Sequence, residues 1–410
     1  MFRDGILAGL RVVEASAFVA APLGGLTLAQ MGADVIRIDP LDGGLDYRRW
    51  PVVDENLSLF WRGLNKSKRS VALNLADPEG REIAMALISA EGGDAGLFIT
   101  NFPPRGWLDY EQLRGRRPDL IQVTLQGDHK GGSAVDYTVN ARLGIPFITG
   151  EGGADRAVNH VLPAWDVATG HLVAVALLAA ERRRSRTGQG EHVKLALEDV
   201  ALAVMDHLGF LAEATRGQTR ARNGNELFGA FGRDFVCRDG RRLIVIALTL
   251  KQWRSLLEAT SLGEAASSIE RRLGLDFAKE GDRFRARREL AEIFGAWIGE
   301  RAYAEAAELF ERGGVCWAPY QTIRELVDAD PACSPENPLF ALIDQPEVGP
   351  ILRARSPLRF QHAANPMAER APALGEHTQA VLGEVLGIDS TAYGRLRARG
   401  VVAAADAPRD

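Results

Sequence analysis

The sequence predicts an α/β protein whose large domain contains a doubly wound, Rossmann-like parallel sheet. Short β-branched runs alternate with helical segments over the first ~200 residues, a pattern typical of such sheets. Near the N-terminus a strand, a helix and a strand follow one another within about 30 residues, the spacing of a right-handed βαβ unit. Beyond this region the pattern becomes mainly helical, which predicts a smaller α+β domain. The 410 residues are enough for both.

Each element of the large domain has a local justification. The first βαβ unit comprises a strand at residues 10–15, a helix from about Pro22 and a strand at residues 34–38. Asp77 can cap the next helix and Pro78 suits its first position. The continuing alternation consists of strands at residues 70–75, 96–100, 120–125 and 191–197 and helices at residues 77–90 and 110–116. We assign residues 1–215 to this domain.

The smaller domain is predicted to span residues 216–335. Asp239 and Gly240 form a turn signal between strands at residues 235–237 and 242–247, which indicates a β-hairpin. Residues 250–330 are predicted to be mainly helical. The proline-rich segment 336–410 is predicted to return over the large domain in an extended form and to end in a helix at about 376–386.

Composition argues against several classes of function. The net charge of −5 disfavours binding to nucleic acid or to an anionic membrane. We find neither an apolar run of bilayer length nor a signal peptide. Cys237, Cys316 and Cys333 are scattered and predict reduced thiols in a cytoplasmic protein, and the seven histidines lack metal-ligand spacing. We therefore expect no metal site.

Asp166 is the most informative residue. It precedes an apolar segment, residues 167–184, that predicts a helix buried on all sides. The free N–H groups and partial positive charge of a helix N-terminus would keep a carboxylate ionised there. The alternative is an ordinary helix cap. His171, on the same helix, is predicted to be a core histidine.

A second candidate site is basic. The segment NKSKR at residues 65–69 places three cations before a strand, and Arg105 follows the segment NFPP. Such cations suit a phosphorylated ligand, although a solvated loop is the commoner role. The absence of GxGxxG and Walker patterns gives dinucleotide binding little support.

Several segments, in order along nearly the whole chain, resemble the class III CoA-transferases. They are LAGLRVVEASAFVAAPLGGLTLAQMGADVIRID, NKSKRSVALNLADPEG, TNFPPRGW, the Asp166 segment with RTGQGEHVKLALEDV, and PALGEHTQAVLGEVLG. The resemblance implies the class III CoA-transferase fold and an interlocked homodimer. It also implies an acyl-CoA substrate, with coenzyme A as part of that substrate and no permanently bound cofactor.

The resemblance also implies a role for Asp166 as a nucleophile that forms an aspartyl-CoA thioester through a mixed anhydride. Three further segments, AVDYTVNARLGIPFITG, NHVLPAWD and LFGAFGRDF, resemble members that pass CoA between the two carboxyl groups of mesaconate. Transfer to a separate acid is the alternative. Racemase activity is disfavoured because Val135 stands where racemases have a histidine base. A non-catalytic acyl-CoA-binding protein is a third alternative.

The remaining site residues are also implied by the resemblance. The expected CoA-binding residues are Val19, Ala20, Leu73 and Leu75 for pantetheine, Asn101 and Phe102 for adenine, Lys68 and Arg105 for phosphates, and Arg37 and Tyr137. The expected substrate residues are Asp136, Asn140, His160 and Arg233. There are three departures: Val19 replaces a glutamine of other members, Pro40 replaces an arginine and leaves Arg37 as its substitute, and residues 223–235, with Arg233, replace their glycine run.

Overall fold

The computed structural model describes residues 4–54, 57–153 and 155–403, which form two compact units. The first unit comprises Met1–Leu143, Val161–Arg216 and Pro331–Asp410. The second comprises Gly144–His160 and Gly217–Asp330. Segment 144–160 thus belongs to the second unit, although the sequence pattern had grouped it with the large domain.

The strands of the two units are β1 Arg11–Ala15, β2 Asp34–Pro40, β3 Val52–Val53, β4 Leu57–Ser58, β5 Arg69–Leu73, β6 Leu97–Thr100, β7 Ile121–Gln126, β8 Glu191–Ala196, β9 Phe231–Val236, β10 Arg242–Ala247, β11 Cys316–Tyr320, β12 Phe340–Gln345, β13 Gly349–Ala354 and β14 Val402–Ala403. The first unit contains a seven-stranded sheet with the order β14-β5-β2-β1-β6-β7-β8. All neighbours in the sheet are parallel except β14, which pairs antiparallel with β5. The predicted doubly wound parallel sheet is confirmed.

Helices connect the strands. They are α1 Ala20–Ala29, α2 Leu59–Asn65, α3 Pro78–Ile88, α4 Tyr110–Arg116, α5 Asp136–Arg142, α6 Ile145–Ile148, α7 Ala164–Thr187, α8 Leu197–His207, α9 Phe210–Thr215, α10 Leu250–Thr260, α11 Gly263–Leu273, α12 Glu280–Arg285, α13 Arg287–Gly299, α14 Tyr303–Arg312, α15 Ile323–Ala329, α16 Thr378–Leu386 and α17 Ser390–Ala398, with 3-10 turns at Gly106–Leu108 and Pro331–Cys333. As predicted, the Asp77 side chain accepts the Glu79 N–H at the start of α3.

Two glycines bring α1 and α7 into close contact on one face of the sheet. A Cβ atom on Gly24 would lie 2.6 Å from Cγ1 of Val173, and one on Gly170 would lie 2.8 Å from the carbonyl oxygen of Ala20. Any larger side chain at either position would therefore force the helices apart. The contact places the first turn of α1 beside the first turns of α7.

Helix α7 is not buried on all sides, contrary to the sequence-based expectation. Val173, Ala174 and Leu177 are buried against the sheet, whereas Val175 is 58% exposed and His171 is also exposed. By length and composition alone, α7 is long and apolar enough to cross a membrane, although the sequence analysis identified no apolar run of bilayer length. The core helix of a globular protein meets the same criterion, and one face of α7 packs on the sheet.

The second unit combines the antiparallel sheet β11-β10-β9 with helices α10–α15. The predicted hairpin is present as β9 and β10, and the helical region extends over residues 250–330 as expected. Its core is rich in aromatic residues, including Phe231, Trp253, Phe294 and Phe310. The unit is therefore an α+β body with its own hydrophobic core.

The C-terminal segment is more structured than its prolines predicted. Strands β12 and β13 form an antiparallel hairpin, and α17 and β14 follow the predicted helix α16. Leu396, Val401 and Val402 pack into the same core as β5 and α3. The segment thus completes the first unit and does not merely wrap over its surface.

Candidate active site

The half-buried Asp166 is the third residue of α7, within its first turn and not at its N-cap. Pro163 occupies the N-cap position and provides no side-chain hydrogen bond. The interpretation of Asp166 as an ordinary cap is therefore wrong. Its carboxylate lies at the positive end of a long helix dipole, where negative charge is stabilised.

Asp136, on α5, supplies the missing cap. Its Oδ2 atom accepts the N–H groups of Trp165 at 2.8 Å and of Asp166 at 3.1 Å. Nearby, Oδ1 of Asn140 accepts the indole N–H of Trp165 at 3.1 Å. Asp136 is 1% exposed and Asn140 is fully buried. Both side chains thus orient the start of α7, and their expected contact with substrate stays a prediction.

The environment of Asp166 shifts its protonation. Burial, followed by the negative charge of Asp136, raises the pKa of Asp166 to about 7, and the Arg49 guanidinium opposes the rise. Desolvation disfavours the charged form of a carboxyl group, and a like charge does the same. This shift runs against the sequence-based expectation of a carboxylate that is fully ionised at neutral pH. Strongly shifted carboxyl groups in clefts are typical of catalytic sites.

Arg49 is a residue that the sequence analysis did not single out, and its guanidinium lies over two aromatic rings. Its guanidinium carbon is 5.5 Å from the centroid of Phe18 and 5.1 Å from that of Phe60. The Phe18 N–H donates to Asp46 Oδ2, and Asp46 Oδ1 is 3.9 Å from Arg49 Nη1. Asp46 and Arg49 lie in the segment GGLDYRRWP, residues 43–51, whose paired arginines and aromatic residues could have pointed to this site.

The carboxyl ends of β1 and β6 form the crevice at which ligands bind in doubly wound sheets. The chain runs from β1 outward in one direction and returns to β6 on the other side, so the two strands define the switch point. Asn101, after β6, accepts the Ala17 N–H at 2.9 Å and donates to the Ala17 carbonyl oxygen at 2.7 Å. Val19 occupies the N-cap position of α1 beside this crevice, and Ala20 is buried in the first turn of α1.

Lys68 and Arg37 do not face solvent, contrary to the expectation of phosphate or CoA contacts. Lys68 Nζ donates to both carboxylate oxygens of Glu14, at 3.0 and 2.9 Å, and to the oxygens of Pro22 and Asn65. Arg37 donates to Asp39 at 2.7 Å and to Glu14 at 2.9 Å. Burial lowers the pKa of Lys68 to about 8 against the opposing effect of Glu14.

These two cations and two carboxylates form a buried network that joins β1, β2 and β5. Gly25 leaves space for it, since a Cβ atom there would lie 1.7 Å from Oε2 of Glu14. A buried charge left without its partner is strongly destabilising. The network therefore links the carboxyl-terminal parts of β1 and β2 to the start of β5, and Lys68 is buried, so it is not part of a solvated basic loop.

The other expected CoA residues of the first unit differ in exposure. Leu73 is fully buried in the core, with Leu75 and Phe102 packed at its edge. Arg105 is exposed before the 3-10 turn Gly106–Leu108. Tyr137 is 43% exposed and its hydroxyl donates to the Val161 carbonyl oxygen at 3.4 Å. Phe102, Arg105 and Tyr137 therefore keep surface available to a ligand.

His160 and Arg233 belong to the second unit. Arg233 Nε donates to the Asp234 carbonyl oxygen at 3.3 Å, and its Nη1 lies 3.7 Å from Glu226 Oε1. Glu226 also accepts from Arg287 at 2.7 Å. Arg233 thus already has a carboxylate neighbour in its own unit.

No group of three or more metal-ligating side chains occurs within residues 4–54, 57–153 and 155–403. A groove of about 580 Å³ lies between α3 and α17 and is lined by Glu79, Ile83, Ile388, Ala392, Arg395, Leu396, Ala398 and Arg399. None of the residues expected from the sequence lines it. The candidate active site is therefore defined by Asp166 and its neighbours.

A half-buried carboxyl group with a raised pKa, beside the ligand crevice of a doubly wound sheet, suits covalent acyl transfer. The chain belongs to CoA-transferase family III, whose sequence model matches residues 7–378.

Two individual relatives and one solved structure are similar to this chain over nearly its whole length. The chain is 55% identical to 2-methylfumaryl-CoA isomerase of Chloroflexus aurantiacus over 98% of this chain and 99% of that protein. It is 28% identical to succinyl-CoA:mesaconate CoA-transferase of Haloarcula marismortui, over 94% and 98% of the two chains. The crystal structure of a CaiB/BaiF family protein from Brucella suis matches with a TM-score of 0.75 at 26% identity, covering 93% of this chain and 100% of that one.

Proposed function

We propose that this protein moves CoA between the two carboxyl groups of mesaconate, converting 2-methylfumaryl-CoA into 3-methylfumaryl-CoA. The observation that carries the proposal is the near full-length 55% identity to an enzyme named for that isomerisation. The environment of Asp166 supports the chemistry, because it holds a carboxyl group at a defined position beside the crevice.

In the proposed mechanism the ionised carboxylate of Asp166 attacks the thioester carbonyl carbon, and CoA leaves as a thiolate. The thiolate then attacks the Asp166 carbonyl of the mixed anhydride, which forms an aspartyl-CoA thioester and frees the mesaconate carboxylate. Mesaconate turns within the site and attacks this thioester through its other carboxylate. The released thiolate attacks the new acyl carbonyl, which yields the isomer and regenerates Asp166 with no net proton change.

The surroundings of Asp166 serve these steps in two ways. Partial burial excludes water, which would otherwise hydrolyse the anhydride. The Asp136 cap fixes the backbone of Asp166, and fixed proximity is a large part of the advantage of a covalent mechanism. Within the crevice we assign Val19, Asn101, Phe102, Arg105 and Tyr137 to CoA.

The test is an assay with 2-methylfumaryl-CoA as the only acyl compound, followed by separation of the two isomers. Hydroxylamine added during turnover should convert the acylated aspartate into a hydroxamate that peptide mapping locates at Asp166. Asp166→Asn should lose at least about 10³-fold in kcat, as expected for loss of a covalent nucleophile.

Asp199→Asn is the matched control, since Asp199 is an exposed carboxylate in the first turn of α8. It should retain activity. Label at another residue, or full activity of Asp166→Asn, would refute the mechanism. If the isomer forms only after a free carboxylic acid is added, the protein is instead an intermolecular transferase like its relatives named for transfer to mesaconate.

The proposed assembly is a cytoplasmic homodimer. The apolar side chains that α7 and α8 leave exposed support it, among them Leu172 at 41% and Val175 at 58% on α7 and Leu202 at 38% on α8. Exposed apolar patches often mark protein–protein interfaces. Light scattering coupled to size-exclusion chromatography should give twice the chain mass, whereas the mass of a single chain would exclude a dimer.

A further inference from the structure

Arg49 has hydrogen-bonding capacity that its protein neighbours do not use. Its guanidinium lies over the rings of Phe18 and Phe60. Its closest carboxylate, Asp46, is 3.9 Å away, which is beyond hydrogen-bond distance. The side chain is 46% exposed. The rings therefore hold the cation in place, while its N–H groups donate to none of the residues that the structure describes.

The position of this cation is coupled to the proposed nucleophile. Asp46 anchors the Phe18 N–H, and Phe18 immediately precedes Val19 at the start of α1. The first turn of α1 packs against α7 at Gly170, one turn beyond Asp166. The positive charge of Arg49 is close enough to oppose the rise in the pKa of Asp166. Arg49 and Asp166 thus belong to one site.

We propose that Arg49 binds the carboxylate of the dicarboxylic acid that is not bonded to CoA or to Asp166. This inference rests on the proposed function, which requires such a carboxylate at every stage: one in each CoA ester and two in the freed acid. An arginine presents paired N–H donors that match the two oxygens of a carboxylate. Arg49 is preferred to Arg233 in this role, because Arg233 Nε already donates to the Asp234 carbonyl oxygen and Arg233 belongs to the second unit.

The proposal explains how the freed acid is retained. Once Asp166 carries CoA, mesaconate has no covalent bond to the protein and must turn before it can attack again. A cation held against two aromatic rings keeps one carboxylate bound while the other reaches the thioester. Loss of the Arg49 cation should therefore increase the release of free mesaconate from the aspartyl-CoA intermediate more than it slows formation of that intermediate.

The experiment compares Arg49→Gln with Arg48→Gln, an exposed neighbouring arginine that serves as the matched control. Two substrates are used: 2-methylfumaryl-CoA and crotonyl-CoA, which lacks the second carboxylate. Hydroxylamine trapping measures Asp166 acylation with each substrate, and chromatography measures free mesaconate released per isomerisation.

We expect Arg49→Gln to lower kcat/KM for 2-methylfumaryl-CoA by about 100-fold, the loss typical of a charge-assisted bidentate contact. Trapping with crotonyl-CoA should stay within about threefold of the unmodified protein, which shows that the variant is folded and its nucleophile intact. Free mesaconate per turnover should rise. Arg49→Lys should recover part of the loss, and Arg48→Gln should change nothing.

Equal losses with both substrates, or no loss with either, would overturn the proposal. So would a selective loss in Arg233→Gln in place of Arg49→Gln. Failure of the proposed function gives a different result in the unmodified protein: it would carry no label at Asp166 with either substrate, or it would form no isomer until a free carboxylic acid is added.

Discussion

The carboxylate of Asp136 accepts the backbone N–H of Asp166 at 3.1 Å, so one acidic residue orients another. The same oxygen accepts the Trp165 N–H, and both interactions lie at the beginning of α7. The arrangement has two opposing effects on Asp166. It fixes the backbone that carries the nucleophile, and it adds a negative charge that favours the protonated form of the side chain.

The first prediction concerns the pH profile of Asp136→Asn. The amide oxygen can still accept from the α7 N–H groups, but the negative charge is gone, so the pKa of Asp166 should fall from about 7. The acidic limb of kcat/KM should move to lower pH by about half to one unit. Initial rates from pH 5 to pH 9 measure this shift. A lower rate with an unmoved limb would mean that Asp136 acts only through structure.

The second prediction links Asp166 to stability. Its pKa in the folded protein, about 7, is above the value of 3.8 expected in the unfolded chain. The stability that this group contributes is therefore complete below about pH 4, decreases as the pH rises, and is lost above pH 7. Asp166→Asn mimics the protonated form, so its gain in Tm should be larger at pH 8 than at pH 5, by about 2 °C or more.

Scanning calorimetry at both pH values measures this difference, with Asp199→Asn as the exposed control. A gain in Tm that is the same at pH 5 and pH 8 would contradict the raised pKa. Asp199→Asn should show no dependence of its Tm change on pH.

The third prediction separates Lys68 from Arg105. Lys68→Met leaves Glu14 without one of its two cations in the buried network, which should cost about 3 to 5 kcal/mol in the free energy of unfolding. Arg105→Gln, at an exposed position, should weaken CoA binding with little change in stability. Urea unfolding and CoA titration calorimetry test the pair. If Lys68→Met weakened CoA binding at unchanged stability, the phosphate role expected from the sequence would be restored.

The fourth prediction concerns the contact between α1 and α7. A methyl group at Gly170 would meet the Ala20 carbonyl oxygen, so Gly170→Ala should cost about 1 to 3 kcal/mol and displace the first turn that carries Asp166. Isomerase activity should fall with stability. Gly115→Ala, in α4 with no atom near its added Cβ, should be neutral or slightly stabilising. Thermal unfolding and kcat of both variants check this, and equal behaviour of the two would contradict it.

Periodicity and turn signals were enough to predict most of the large sheet. The strand at β1, the helix at α4 and the hairpin of β9 and β10 follow from local residue patterns and appear close to their predicted bounds. The hairpin of β12 and β13 was missed, because the prolines that surround it resemble those of an extended segment. Its pairing depends on partners that a local window does not contain.

The site was harder to predict because side-chain environment depends on the whole fold. The family resemblance implied that Lys68 and Asp136 would both meet a ligand, and charged residues are usually exposed. The structure places Lys68 against Glu14 and Asp136 against the backbone of α7. Asp166 was identified from its position before an apolar segment, but its pKa could not be, because the shift comes from burial and from a carboxylate 30 residues away in sequence.

The pairing of β14 with β5 has a consequence for the nascent chain during its synthesis on the ribosome. Residues 402 and 403 occupy the edge of a sheet whose other strands end by residue 196. That edge therefore stays uncovered until synthesis has passed two hundred further residues, including nearly all of the second unit. Nascent chains should meanwhile expose β5 to unwanted strand pairing, which makes this edge a natural target for a chaperone.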